Sequence, residues 1–572
     1  MPALLKRLHG LLSGHFSAPH VRRRSSRCSL SSGVQSRAEF LETRQLLAAT
    51  LIKDFNTDTF QVGPNLTPDS YYRGRSSVVW NDSLYYFADT SLYRSDSTGI
   101  TEIVNYAPGE EFGASGWLTP VGDKLYFRAV TATDQRLWVS DGTAAGTFPL
   151  RESENDCSRP EFLTEYDGKL LFVGLNEATG YELWTSDGTS AGTQPLLDLI
   201  AGPDFAYIDQ ITVVGEIFYF AATMPNYGRE VWKSDGTAAG TYMVRDIAPG
   251  ADSSFPDNLT VVGERLYFVT GSFSSQRELW TSDGTTAGTV PVLDQQSNPV
   301  LSPASLLSLG NVLLFSGSGD NGRELWGAEG MSAFEIADIQ PGSGSSFPGD
   351  LVRHGDVVFF AANDGLSGRE LWITDGTPLG TSLVSDINVS GDSNPSRLAA
   401  TGNLLYFVAS DGLHGTEVWR FDLTQASMLM MRDIFAGPDS GFDPTIGLKA
   451  GSNTVYFTAT DGTTGTHIWR STGTVEGTQQ VTEPVTLPSS GEVGEFADVD
   501  GTLYFVVRSF PTQLWKSDGT TAGTVLVKDI PPAPFETATS LTRLGNKLIF
   551  LGPSSTEGYA LWVSMEPKLA RM

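Results

Sequence analysis

Six glutamates, Glu182, Glu230, Glu278, Glu324, Glu370 and Glu417, each stand two residues before a tryptophan. Carboxylates working in pairs are the equipment of glycoside hydrolysis. An active site is needed once, however, and these acids recur every 46–48 residues. Repetition assigns them to a structural hydrogen bond or salt bridge between repeated units, with the neighbouring Arg229, Arg323 or Arg369 as partners. The carboxylates outside the repeat that a hydrolase or lyase could draw on are Glu154, Asp156 and Asp320.

A second recurring acid sits in Asp-Gly pairs at Asp141, Asp187, Asp235, Asp283, Asp375 and Asp518, each inside Asp-Gly-Thr-x-x-Gly-Thr. A hard cation such as calcium takes six to eight oxygens, whereas each of these segments offers one carboxylate and a few hydroxyls. Asp-Gly is also a strong hairpin-turn pair, because glycine accepts positive φ and aspartate caps nearby amides. The structural reading is therefore preferred: no cofactor is expected, with calcium the one candidate. His354, His414 and His467 are scattered through the body, and no HExxH, Cys/His cluster or GxSxG elbow is present. Cys28 and Cys157 are the two cysteines; Cys157 stands alone in the body, which leaves it no partner there for a disulfide.

The elements that carry these residues repeat throughout. Ten of the twelve tryptophans occupy one position: Trp138, Trp184, Trp232, Trp280, Trp326, Trp372, Trp419, Trp469, Trp515 and Trp562, with Tyr93 in place of the first. Their spacing is 45–50 residues. An apolar triplet ending in Phe runs in phase, from Phe87 and Phe127 through to Phe505 and Phe550. A Val/Ile-x-Asp-Ile segment, as at Val244–Ile247, closes each unit. Short aromatic and β-branched runs between Gly/Asp/Ser turns argue for strands, four per unit. Neither face of such a sheet can be buried by one unit alone, so neighbours must supply the other half of each apolar layer.

Four antiparallel strands in about 47 residues describe a propeller blade. The expected fold is all-β, a β-propeller of about eleven four-stranded antiparallel blades, with one large ring favoured over two. Leu51–Phe55 reads as a last strand without predecessors, and Tyr559–Ser564 as a third strand without a successor. Joining them would complete one blade and remove two exposed edges. The expected organisation is a basic targeting segment at 1–50, disordered and outside the fold, a propeller at 51–565 and a short tail at 566–572.

Composition narrows the partners. The chain has 572 residues, 40% hydrophobic and 18% charged, with a net charge of −28. Residues 1–50 hold eight Lys/Arg against two acids, leaving 30 bases and 64 acids, a net −34, for the remainder. Phosphate backbones and anionic lipid would be repelled, so no nucleic-acid partner is expected. No apolar run is long enough for a transmembrane helix.

Two resemblances follow. Leu41-Glu42-Thr43-Arg44-Gln45-Leu46-Leu47-Ala48 resembles the LExRxLLA core of an N-terminal export motif of planctomycete extracellular proteins, with Ala38 where that motif usually has Phe. The Glu-Leu-Trp-x-x-Asp-Gly-Thr core is similar to the ELWxxDGT repeat family of bacterial extracellular proteins, over residues 51 to about 565. The resemblance implies a repetitive β-architecture and an extracellular or cell-surface location, and it carries no catalytic residues. The expected function is an exported, non-enzymatic binding or structural module with a protein or polysaccharide ligand. The alternative is a propeller-type carbohydrate-active enzyme, a glycoside hydrolase or lyase, with its site at the central channel. The ten tryptophans and the six Asp-Gly aspartates are expected to be structural anchors.

Overall fold

The computed structural model describes residues 49–54 and, with short interruptions, 77–564. The strongest sequence signal, an aromatic at two fixed places per repeat, becomes a cross-strand pair. Phe127 faces Trp138, Phe172 faces Trp184, Phe220 faces Trp232, Phe315 faces Trp326 and Phe505 faces Trp515 on adjacent antiparallel strands. Several of these pairs stack, with centroids 6.0–6.4 Å apart. Stacked aromatic pairs of this kind add about 0.5–1.5 kcal/mol beyond their burial. The first unit departs from the expected register. Its turn between Ala88 and Ser91 is so short that Tyr86 faces Tyr93, and Phe87 faces Leu92.

Among the described residues the chain is all strand apart from one 3-10 turn, Pro378–Gly380. The strands form seven four-stranded antiparallel sheets and two eight-stranded ones. Each larger sheet is two four-strand units joined by one bridging pair, Ser158 with Arg136 or Glu278 with Leu301. Strand order follows chain order, as in the unit Asp209–Val214, Ile217–Met224, Gly228–Ser234 and Tyr242–Met243. The sheet of Thr539–Leu544, Lys547–Ser554 and Gly558–Ser564 receives its fourth strand from the other end of the chain. Ala49–Asp54 lies antiparallel to Gly558–Ser564, with Thr50 opposite Val563 and Leu51 opposite Trp562. The strand begins two residues before the boundary expected at residue 51; residues 1–48 and 565–572 lie outside the described residues.

Side chains on a strand alternate between faces, and here the alternation decides which neighbour each residue meets. Phe218, Phe220 and Trp232 pack backwards onto Leu171, Val173 and Leu183 of the preceding unit. Tyr219 and Val231, one position away, pack forwards onto Leu266, Phe268 and Trp280 of the next. The same layer is built between later units, for example Tyr456 and Ile468 against Phe505 and Trp515, and Tyr504 and Leu514 against Leu548 and Phe550. Each such side chain fully removed from water contributes about 1.5–3 kcal/mol. Of the anchor tryptophans, Trp184, Trp232, Trp280, Trp326, Trp469 and Trp515 are buried, and Trp138, Trp372 and Trp419 are half-buried. The side chain of Trp562 lies outside the described residues. Leading strands of successive units, such as Asp209–Val214, Asp257–Val262, Leu301–Leu309 and Gly349–His354, lie side by side. No helix among the described residues is long and apolar enough to cross a membrane.

Candidate functional site

Each unit exposes two kinds of connection at opposite ends of its strands. One end carries the turns between first and second strands and the Asp-Gly-Thr turns between third and fourth. The other carries the loops between second and third strands and the long loops from a fourth strand to the next first strand. The latter end is called the loop face below.

The Asp-Gly-Thr turns are closed upon themselves. Asp187 Oδ1 accepts from Thr189 N at 2.9 Å and from Thr189 Oγ1 at 2.7 Å, while Ser186 Oγ and Thr193 Oγ1 lie 2.7 Å apart. Asp141, Asp235, Asp283 and Asp375 repeat the first two bonds. These threonine bonds hold the carboxyls of Asp141, Asp187, Asp235 and Asp283 below the usual range. Gly188 has φ +87°, and a Cβ there would lie 3.0 Å from the Tyr126 hydroxyl of the preceding unit. Glycine is required twice over, for the backbone conformation and for the neighbour's tyrosine. At Asp518 the backbone carbonyl accepts from Arg470 of the preceding unit. Among the described residues, no group of three His, Cys, Asp or Glu converges as a metal site.

The repeated glutamates do something the sequence did not reveal. Glu182, Glu230, Glu324, Glu370 and Glu417 are buried, and they bind the loop that leaves their own unit. Glu370 accepts from Ile387 N, Ser393 N and Ser393 Oγ at 2.9, 2.9 and 2.6 Å. Glu230 holds Ile247 and Ser254, and Glu324 holds Ile339 and Ser346, in the same way. The expected arginine partners go elsewhere, because the loop amides curl back over the carboxyl and fill the positions around it. In two units the capping serine is missing, with Ala206 or Gly441 at its place. There the acid has backbone amides as its donors, Leu199 N at 2.9 Å for Glu182 and Gly441 N at 2.9 Å for Glu417, no hydroxyl reaches it, and one carboxyl oxygen of each is buried without a close partner. Burial pushes both of these carboxyls up to about 8. Glu278 stands apart, half-buried at the bridge to Leu301.

The arginines hold a strained backbone. At the start of successive leading strands, Arg159, Tyr207, Phe255, Ser302, Phe347 and Asn394 all have φ of +45° to +51°. All six are exposed, Tyr207 to 66% and Phe347 to 60%. Left-handed conformations at bulky residues cost about 1–3 kcal/mol each and need surrounding structure to hold them. Arg229, Arg323 and Arg369 supply it, donating Nη1 to the carbonyls of Tyr207, Ser302 and Phe347 at 2.6–2.9 Å. Arg229 also pairs with Asp209, and Arg277 with Asp257 at 2.8 Å. Phe205, Tyr227, Leu366, Val389 and Leu413 are further exposed apolar residues of the loop face. Tyr181, Phe205 and Tyr207 touch edge to face.

A second Asp-Gly repeat lies in the loops between second and third strands, at Asp364, Asp411 and Asp461. It was legible as Asp-Gly-x-x-Gly in three successive units. Asp364 Oδ1 accepts from Leu366 N and Ser367 N, and Asp411 Oδ1 from Leu413 N and His414 N. His414 replaces the Ser367 and Thr464 of its neighbours. Its Nδ1 lies 2.6 Å from Asp411 Oδ2. That bond raises the imidazole above its usual value, and the hydrogen bonds Asp411 accepts keep its carboxyl low. Asp320 is exposed on the loop face in the turn Gly319–Gly322; Glu154 and Asp156 lie outside the described residues. Cys157 is buried beside Arg136, Leu137, Leu150 and Thr193.

No family model matches the chain, and no curated protein matches it. Solved structures to which it is similar include the tricorn protease, at 12% identity and TM-score 0.24 over 84% of this chain and 54% of that one. A puromycin-hydrolysing peptidase of Mycobacterium tuberculosis aligns at 13% identity and TM-score 0.29, over 60% of this chain and 58% of the other. The β-propeller domain of the Trilobed protease from Pyrococcus furiosus aligns at 12% and 0.23, over 64% of this chain and 97% of that one. The chain thus spans little more than half the length of the first two. These neighbours correct one expectation. They are peptidases, or propeller domains of peptidases, and the expectation of a non-enzymatic module is not upheld by them. At these scores no residue role passes from them to this chain.

Proposed function

We propose that the four-strand units are the blades of a single ring of eleven, closed where Ala49–Asp54 completes the last sheet. The apolar layers shared by each unit with the next along the chain, and the leading strands that lie side by side in most of them, support this reading. The chain is then an exported member of the ELWxxDGT type, located outside the cell or at its surface, and its export motif ends at Ala48, one residue before the closing strand begins. Its activity is that of a carbohydrate-active hydrolase with the reacting groups on the loop face, around the mouth of the channel.

The observation that carries the catalytic reading is the Asp411–His414 pair. Structural residues recur once per blade, whereas this titratable pair occupies a repeat motif whose sequence has Ser367 and Thr464 at the histidine's place in the flanking units. With Nδ1 engaged by Asp411, Nε2 is left as the atom that exchanges a proton, an orientation general acid–base catalysis requires. The raised imidazole favours the protonated form, suited to protonating a leaving oxygen. Purified protein should release reducing ends from polysaccharide, and activity should fall as pH rises through the imidazole's raised value. His414→Gln should lower the rate by about 10²–10⁴-fold, with Asp411→Asn close behind. Unchanged turnover in His414→Gln, or no turnover of any polysaccharide, overturns the assignment.

A further inference from the structure

From the left-handed row at the start of the leading strands, we infer a binding surface for a neutral polysaccharide chain, read by Tyr207, Phe255 and Phe347. This rests on the loop-face reading above and names the polymer that face takes. The first argument is strain. A purely structural demand on these positions is a demand on the backbone, met equally well by Ser302 and Asn394, which hold φ of +51° and +48°. Three of the six positions nevertheless carry large aromatic rings, 49–66% exposed at Tyr207, Phe255 and Phe347. At Tyr207 and Phe347 an arginine holds the backbone that presents the ring, which leaves less to order on binding. An edge-to-face contact with Phe205, which itself meets Tyr181, braces Tyr207 further.

The second argument selects the occupant. After Arg159 the row carries flat rings at Tyr207, Phe255 and Phe347 and small polar groups at Ser302 and Asn394, one per unit, on strands lying side by side. Sugar rings present an apolar C–H face and hydroxyls, which suits exposed rings with small polar groups among them. Asp209, Asp257 and Asp350 beside the row are engaged by arginines of their own units. Arg159 is an exposed cation at the start of the row, while the chain as a whole, at net charge −28, repels polyanions, nucleic acid included. An extended peptide would add to a free strand edge. Each leading strand is the outermost of its four, but its edge is broken by a bulge, between Asp209 and Thr212 or Asp257 and Thr260 for example. Such breaks block strand addition.

The test is affinity electrophoresis and pull-down of the full chain on neutral glucan, mannan, xylan and galactan, with alginate and heparin as anionic contrasts. The key variant is Tyr207→Asn/Phe255→Asn/Phe347→Asn, because asparagine already occupies the same backbone conformation at Asn394. Met331→Ala/Leu379→Ala, exposed at the opposite end of the strands, is the control. Binding of a neutral polymer should weaken at least tenfold in the aromatic variant, with an unchanged melting temperature, and stay as in the parent in the control. Equal binding by the aromatic variant, preference for alginate or heparin, or no binding to any neutral polymer each overturns the inference. The two proposals fail separately: binding without turnover removes the hydrolase and leaves the row, whereas turnover with unaltered affinity in the aromatic variant removes the row and leaves the hydrolase.

Discussion

Glu370→Ala should destabilise the protein by about 3 kcal/mol or more, while Ala206→Ser, one unit upstream of the capping Ser254, should stabilise it. The first change removes the acceptor of Ile387 N, Ser393 N and Ser393 Oγ inside a buried loop. Each donor left unpaired in the interior costs about 1–3 kcal/mol. The second change returns a hydroxyl donor to the unpartnered oxygen of Glu182, and a hydrogen bond to a charged group is worth about 1.5–3 kcal/mol. The pH dependence follows from the direction of the shifts. Glu182 and Glu417 are raised from 4.5 to about 8 in the folded protein. Between those values the folded chain keeps protons that the unfolded chain has released. Their contribution is therefore complete below about pH 4.5 and is lost as pH rises through 8, at up to about 1.4 kcal/mol per pH unit for each group. Urea melts at pH 6 and pH 9 should show Ala206→Ser gaining most at the higher pH. A gain independent of pH, or a neutral Glu370→Ala, would contradict the role given to these acids.

The second large effect concerns the closing strand. A chain lacking residues 1–48 should fold as the full chain does, whereas one lacking 1–54 should lose about 3–5 kcal/mol and aggregate. Five registered pairs join Ala49–Asp54 to Gly558–Ser564, and each net backbone hydrogen bond contributes about 1 kcal/mol. Losing the strand also bares the edge of Gly558–Ser564, an invitation to intermolecular pairing. Light scattering during refolding separates the two chains; equal scattering and equal stability would show that the strand is dispensable.

Much of this architecture was readable from the residues because it is written in side chains. Trp232 and Phe220 announce their pairing by recurring in phase, and Leu51–Phe55 announces its partner by lacking neighbours of its own. The glutamates were half legible. Burial and a structural role follow from their recurrence, but their partners are backbone amides, and an amide leaves no mark on composition. The adjacent Arg229 and Arg369 looked like ion-pair partners for that reason. The left-handed row was invisible for a related cause: Arg159, Tyr207, Phe255, Ser302, Phe347 and Asn394 share a backbone conformation and no side-chain property. His414 looked like one of three scattered histidines, because the Asp411 loop motif beside it is weaker than the Asp-Gly-Thr repeats. Tyr93 was aligned with the tryptophans by count, and the two-residue turn before it moved the register by one.

The proposed closure of the ring is tested most directly by a disulfide between Ala49–Asp54 and Gly558–Ser564. Thr50 and Val563 are registered partners, so a Thr50→Cys/Val563→Cys chain that also carries Cys28→Ser and Cys157→Ser has one possible pair of thiols. Under mild oxidation it should form an intramolecular bond in the monomer, quantitatively and without denaturation, and should melt at a higher temperature than its reduced form. Thiols that stay free in the folded monomer, or that link only between chains, would show that the two ends of the polypeptide do not meet.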